Sequence, residues 1–210
     1  MTITLDIFAD PVCPWCLIGK VELDRALESR PDHPFDLVWR PFRLNPDMPP
    51  GGMDRRAYLA AKFGDEAGIA AAHAPLIRRA EALGITLNLP AIRREPDSTD
   101  AHRLLHWAAM EGAQTRVMSG LLAAHWREGR DIGDAGTLAR IADAAGMDGM
   151  MIERLLATDA DRDTIAAAEA HARERGVRAV PTFILGNAHV VPGAQPAALW
   201  QQVIDELAGG

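Results

Sequence analysis

The sequence predicts an α/β fold interrupted by a long helical block, and three observations carry that reading. The chain opens β-α-β, continues as a run of helices, and closes α-β-β-α. Both of its cysteines, Cys13 and Cys16, stand where the first strand meets the first helix. A Pro-headed strand, Pro181 to Leu185, lies far away near the other end.

Residues Ile3 to Phe8 alternate and are β-prone, and Asp10-Pro11 breaks the run. Pro14 suits the first position of a helix, and Leu17, Val21, Leu23 and Leu27 give it apolar positions until Pro31 stops it. Phe35 to Phe42 reads as a second strand, with Pro41 marking an edge or the end of pairing. A Pro- and Gly-rich loop, Arg43 to Met53, leads into the helical block. Helices are expected at 54–63, 65–83, 98–111, 115–127, 135–145 and 148–156, with Ser98 or Thr99 and Asp134 as N-caps and a short β-like piece over 85–89. Gly64, Gly84, Gly112, Gly129 and Gly146 fall where C-terminal caps belong. A helix over 161–175 closes at Gly176, then Pro181 to Leu185, the turn Gly186-Asn187 and His189 to Val191 form a hairpin. Residues 195–207 form the last helix. Removing the block leaves β-α-β-α-β-β-α, the order of the thioredoxin fold. The expected domains are therefore a thioredoxin-like one over 1–43 and 157–210 and a helical insertion over 44–156.

Composition narrows the function. The chain has 210 residues, 48% of them hydrophobic and 24% charged, which suits a globular domain carrying an insertion and excludes bulk disorder. The net charge is −7 and no basic stripe is visible, so no nucleic-acid partner is expected. No run is long and apolar enough to span a bilayer, and Met1 to Phe8 reads as a strand rather than an export signal, so no membrane association and a cytoplasmic location are expected.

Cys13-Pro14-Trp15-Cys16 is the chemical feature. Two cysteines cannot build a disulfide framework, and with no second pair a zinc site lacks ligands. Unpaired N–H groups and the helix dipole at a helix start favour the thiolate at Cys13, and Cys16 lies one turn inside, where it can attack a mixed disulfide. The alternatives are a chance Cys-x-x-Cys in a buried helix or half of a metal site. Val180-Pro181 begins the third strand; a cis peptide there would face the cysteines and leave the Val180 backbone to pair with a substrate.

Residues Asp10 to Lys20 resemble the active-site stretch of the DsbA-like thioredoxin superfamily, in its FrnE-like branch. So do Trp39 to Pro46, Ala101-His102-Arg103-Leu104, Val177 to Phe183 and Pro192-Gly193-Ala194-Gln195. Family members often carry Gly where Ala179 stands and Asn where Ser98 stands. The resemblance implies a thioredoxin fold with a helical insertion and thiol–disulfide oxidoreductase or isomerase activity. Relatives that isomerise 2-hydroxychromene-2-carboxylate, and kappa-class glutathione transferases, place Ser where Cys13 stands and bind glutathione.

The expected catalytic residues are Cys13 and Cys16, with no metal and no required cofactor. Pro14, Trp15, Val180, Pro181, His102, Arg103, Ala194 and Gln195 are expected to contact substrate; for His102 and Arg103 a purely structural role weighs equally. Expected partners are protein or small-molecule thiols and disulfides, with glutathione a possible co-substrate. Competing readings are a glutathione-dependent isomerase or transferase and a non-catalytic peptide-binding or chaperone module. Asp10 is expected to bind backbone in its turn. Trp15 is expected to be exposed, Trp39, Trp107, Trp126 and Trp200 to pack inside, and Met147, Met150 and Met151 to belong to the core.

Overall fold

A computed structural model describes residues 2–209. The chain divides into two compact units, Met1–Leu44 with Ala167–Gly210, and Asn45–Ala166.

The first unit is built on a sheet of order β2-β1-β5-β6. Strand β1 (Ile3–Ala9) pairs parallel with β2 (Phe35–Pro41) and antiparallel with β5 (Thr182–Leu185), which pairs antiparallel with β6 (His189–Pro192). That topology is the thioredoxin-like fold. Pro41 ends an edge strand, where its missing N–H costs no ladder bond. The β5–β6 hairpin turns through Gly186 and Asn187, both at positive φ, and the Ala188 N–H closes on the Leu185 carbonyl. Strand alternation places Leu5, Ile7, Trp39, Phe183 and Leu185 on one face. Helices α1 (Pro14–Ser29) and α9 (Ala197–Gly209) belong to this face: the rings of Phe183 and Trp200 meet edge to face at 4.7 Å, and Trp200 is fully buried. Glu22 of α1 accepts the Ala197 N–H at 2.9 Å, filling one of the unpaired donors at the start of α9.

The loop after β2 is held by α8 (Arg162–Glu174). Glu169 accepts from the Arg43 backbone and guanidinium and from Arg173, whose own guanidinium lies 4.1 Å from the Phe42 ring centroid. Burial pushes the Glu169 carboxyl upward, but the bonds from Arg173 and Arg43 outweigh it and hold the group below the ordinary carboxylate range.

The second unit is largely helical. It contains α2 (Arg55–Phe63), α3 (Glu66–Ala82), α4 (Thr99–Met110), α5 (Gln114–Trp126), α6 (Ala135–Ala144) and α7 (Gly149–Leu156). Asp54, Asp65, Asp134 and Asp148 cap four of these helices, each accepting the N–H three residues on. At α4 Ser98 is the N-cap residue, as expected, but its side chain makes no capping bond; Asp97 instead takes the Thr99 N–H and hydroxyl. Two features depart from the sequence reading. Residues 85–89 form no strand: the Ile85 N–H bonds the Ala80 carbonyl and the Asn88 N–H the Trp126 carbonyl, so helix ends take the backbone groups a ladder would need. Instead a small sheet pairs β3 (Met53–Asp54) with β4 (Arg94–Glu95). Of Met147, Met150 and Met151, only Met147 is buried. Met150 and Met151 are 74% and 46% exposed, because α7 buries Gly149, Ile152 and Leu156 on its other face.

Arg103 explains where the second unit ends. It is fully buried, and all five of its N–H donors are engaged: Nε with Ala160 O, one terminal nitrogen with Leu155 O and Thr158 O, the other with Asp100 and Leu156 O. Trp107 adds a bond to Asp161 at 2.8 Å. These bonds attach the stretch after α7 to the helical unit, so the boundary falls at Ala166, inside α8, rather than at 156.

Replacing Arg103 by Leu should cost at least ~3 kcal/mol, because a fully buried guanidinium's bonds to Asp100 and to four backbone carbonyls are lost together. Arg103→Lys should recover only part of this, since an ammonium offers three donors instead of five. Urea unfolding would check both; midpoints equal to that of the unmodified protein would contradict the fastening role.

Candidate active site

The site grows from the end of β1. Asp10 is fully buried, and its carboxylate accepts the Val12 N–H at 3.3 Å and the Leu44 N–H at 2.7 Å. Its carbonyl accepts the Cys13 N–H at 2.9 Å. Asp10 therefore shapes the turn that delivers Cys13, as its Asp-Pro context suggests, and also ties it to the residue after the second strand's loop.

Cys13 is the N-cap of α1, with Pro14 at the first helical position. Its extended φ and ψ of −88° and 116° turn the chain into the helix. Its thiol makes no capping bond. It donates instead to the Val180 carbonyl at 3.5 Å, across 167 residues of sequence. The Cys16 N–H bonds the Cys13 carbonyl at 3.1 Å, which holds the two thiols near each other at the start of α1. Both cysteines are free and buried, 3% and 1% exposed. Burial pushes the Cys16 thiol well up, and the neighbouring Cys13 pushes it further. Cys16 is thus held as a neutral thiol.

The Val180–Pro181 peptide is cis. The loop around it is closed by the Thr182 hydroxyl on Ala179 O at 2.7 Å and by the Gly193 N–H on Pro181 O at 2.8 Å. The Val180 N–H meets no acceptor among the described residues. Helix α1 lies against this loop at Gly19. A Cβ there would stand 3.0 Å from Pro181 Cγ and 3.5 Å from Ala194 Cα and Phe183 Cζ. Gly19 is a positioning residue that the sequence reading passed over. Its signal was available: a glycine inside a helix costs about 1 kcal/mol against alanine and needs a packing reason.

The structure thus gathers Cys13, Cys16, Val180, Pro181 and Ala194 around the start of α1. Pro14 is half-buried and Trp15 is 38% exposed beside the thiols, as expected. The Gln195 amide turns back to Pro192 O at 2.6 Å and ties the loop before α9. His102 is 2% exposed, within α4. Arg103 corrects an expectation: with every donor committed to its own unit, its guanidinium has none left for a substrate. Trp39, Trp107, Trp126 and Trp200 are all buried.

Comparison with known proteins bears on the fold and the family. The model of the DSBA-like thioredoxin domain matches residues 4–205. The uncharacterised protein YwbO of Bacillus subtilis is 28% identical over 207 residues, covering 98% of each chain. The crystal structure of a probable DsbA oxidoreductase from Streptomyces coelicolor superposes with a TM-score of 0.85 at 29% identity, covering 99% of this chain and 90% of that one. The cytosolic disulfide reductase DsbM of Pseudomonas aeruginosa, solved with glutathione, shares the fold with a TM-score of 0.67 at 20% identity, covering 99% and 100%. With the fold, the paired cysteines and the family match in agreement, this chain belongs to the DSBA-like thioredoxin domain family.

Proposed function

We propose that the protein is a thiol–disulfide oxidoreductase that exchanges disulfides through Cys13 and Cys16. The observation that carries this reading is the placement of the two sulfurs. Cys13 ends a strand and begins a helix with its thiol on the Val180 carbonyl, and Cys16 waits one turn inside as a buried neutral thiol.

In the reducing direction the Cys13 thiolate attacks one sulfur of a substrate disulfide. The substrate S–S bond breaks, its second sulfur leaves as a thiolate, and a mixed disulfide forms on Cys13. Cys16 then attacks the Cys13 sulfur and gives up its proton to the departing substrate sulfur. The balance is one substrate disulfide reduced to two thiols and one Cys13–Cys16 disulfide formed. A second thiol pair, or two molecules of glutathione, returns the protein to the dithiol. With only two cysteines, one reversible disulfide is the full internal redox capacity of the chain. The free Val180 N–H, beside a carbonyl that already meets Cys13, suits an extended substrate segment pairing there as an added strand. Trp15 offers it an exposed apolar surface.

Glutathione as co-substrate and a cytoplasmic setting belong to the same proposal. DsbM shares the fold and was solved with glutathione, and reduction is the easier direction in a reducing compartment. Among the described residues no helix is long and apolar enough to cross a membrane.

Cys13→Ser should abolish insulin reduction, whereas activity equal to the unmodified protein would refute the assignment. Cys16→Ser should accumulate a mixed disulfide on Cys13, seen as an added mass that dithiothreitol removes. Iodoacetamide near neutral pH should label Cys13 and spare Cys16. The sign follows from burial: it favours the neutral thiol, so Cys16 forms its reactive thiolate only above the ordinary cysteine range.

Gly19→Ala should slow exchange modestly, because Pro181 can give by a few tenths of an ångström. Gly19→Leu should slow it by ~10-fold or more, because the larger side chain must displace the Pro181 loop from Cys13. Equal exchange rates for all three proteins, in single-turnover measurements on a small disulfide, would refute this positioning role.

A further inference from the structure

A hollow of about 240 Å³ lies beside the Val180–Pro181 loop, between the outer end of the sheet and residues 175–179. Thr182 and Ile184 of β5 line it, with Val190 and Pro192 of β6 in register against them. Alternation puts these four on the face opposite Phe183, away from α1 and α9. Arg175 and Arg178 complete the lining, and no carboxylate takes part in it.

Both arginines are exposed, and neither guanidinium has a hydrogen bond or ion pair among the described residues. Within the first unit this sets them apart from Arg30, Arg40 and Arg43, whose guanidinium groups are held by Asp205, Asp6 and Glu169. A free positive rim is also out of keeping with a chain of 29 acidic against 22 basic residues. The apolar floor is open as well, with Val190 61% exposed on an edge strand. Ala179, next to Val180, borders the same hollow. A segment pairing with Val180 would therefore pass its neighbouring groups over the arginines.

The geometry points to a specificity pocket for a carboxylate that the substrate carries close to the exchanged sulfur, with the adjoining carbon chain on the apolar floor. This deepens, and rests on, the exchange reaction assigned to Cys13. Two sources share the chemistry: glutathione, with a carboxylate at each end, and an acidic residue beside a cysteine in a polypeptide.

Single-turnover kinetics on the full reduced chain separate these claims. The probes are two aromatic disulfides, the anionic 5,5′-dithiobis(2-nitrobenzoate) and the neutral 4,4′-dithiodipyridine. The anionic-to-neutral ratio of rate constants should fall ~10-fold in R175Q/R178Q, the scale expected for losing two solvent-screened charge contacts. It should largely recover in R175K/R178K, and it should fall with salt in the unmodified protein. A ratio unchanged by the Gln substitutions overturns the pocket. Dithiodipyridine reacting as fast with Cys13→Ser as with the unmodified chain would instead overturn the exchange reading beneath it. Two further disulfides identify the source: oxidised glutathione, and a terminally blocked Asp-Cys peptide. An arginine-dependent fall with either one supports the pocket and assigns it to that source, and a fall with neither overturns it.

Discussion

The antiparallel pairing of β1 with β5 is the constraint on which the site depends. Through Leu5 with Leu185 and Ile7 with Phe183, it brings the end of the first strand beside the start of a strand from the far end of the chain. The first strand runs on into Cys13, and β5 is entered through Val180 and Pro181. Thiol and carbonyl then meet at 3.5 Å without either segment needing contacts of its own to find the other. Helix α1 enters the same junction from the side, where the missing Cβ at position 19 leaves room for Pro181.

Buried polar groups fasten this arrangement. Asp10 shapes the turn into Cys13 and receives Leu44 from the loop after β2. Glu169 holds the same loop through Arg43, and Glu22 joins α1 to the start of α9. Arg103 does the equivalent within the helical unit, by binding the carbonyls that follow α7. Each is a charged group that water would otherwise solvate, so burial is tolerable only with its hydrogen bonds made. Within the first unit Arg175 and Arg178 differ from these groups: both are exposed and their guanidinium groups make no such bond.

The order of elements and the Asp134 cap were legible because periodicity, Gly, Pro and Asp act within one turn of the chain. The strand expected over 85–89 failed because nearby helix ends took its backbone groups, which no local pattern records. Met150 and Met151 were misplaced because a hydrophobic residue on a short helix does not announce which side the neighbours occupy. For Arg103 the sequence left a substrate contact and a structural role equally open, and only the carbonyls of Leu155, Thr158 and Ala160 decide it.

By itself, then, the sequence determined the thioredoxin order, the helical insertion and the chemistry available: two cysteines one turn apart at a helix start. These follow from short-range rules, because a helix start, a strand period and a Cys-x-x-Cys spacing involve residues within a few positions. Tertiary structure alone decided what each sulfur faces. The Val180 carbonyl, the burial that keeps Cys16 protonated, the absent Cβ at Gly19 and the arginine-lined hollow all arise from segments brought together across the sheet. Distance and desolvation are set by that packing, and neither is written in the spacing of residues along the chain.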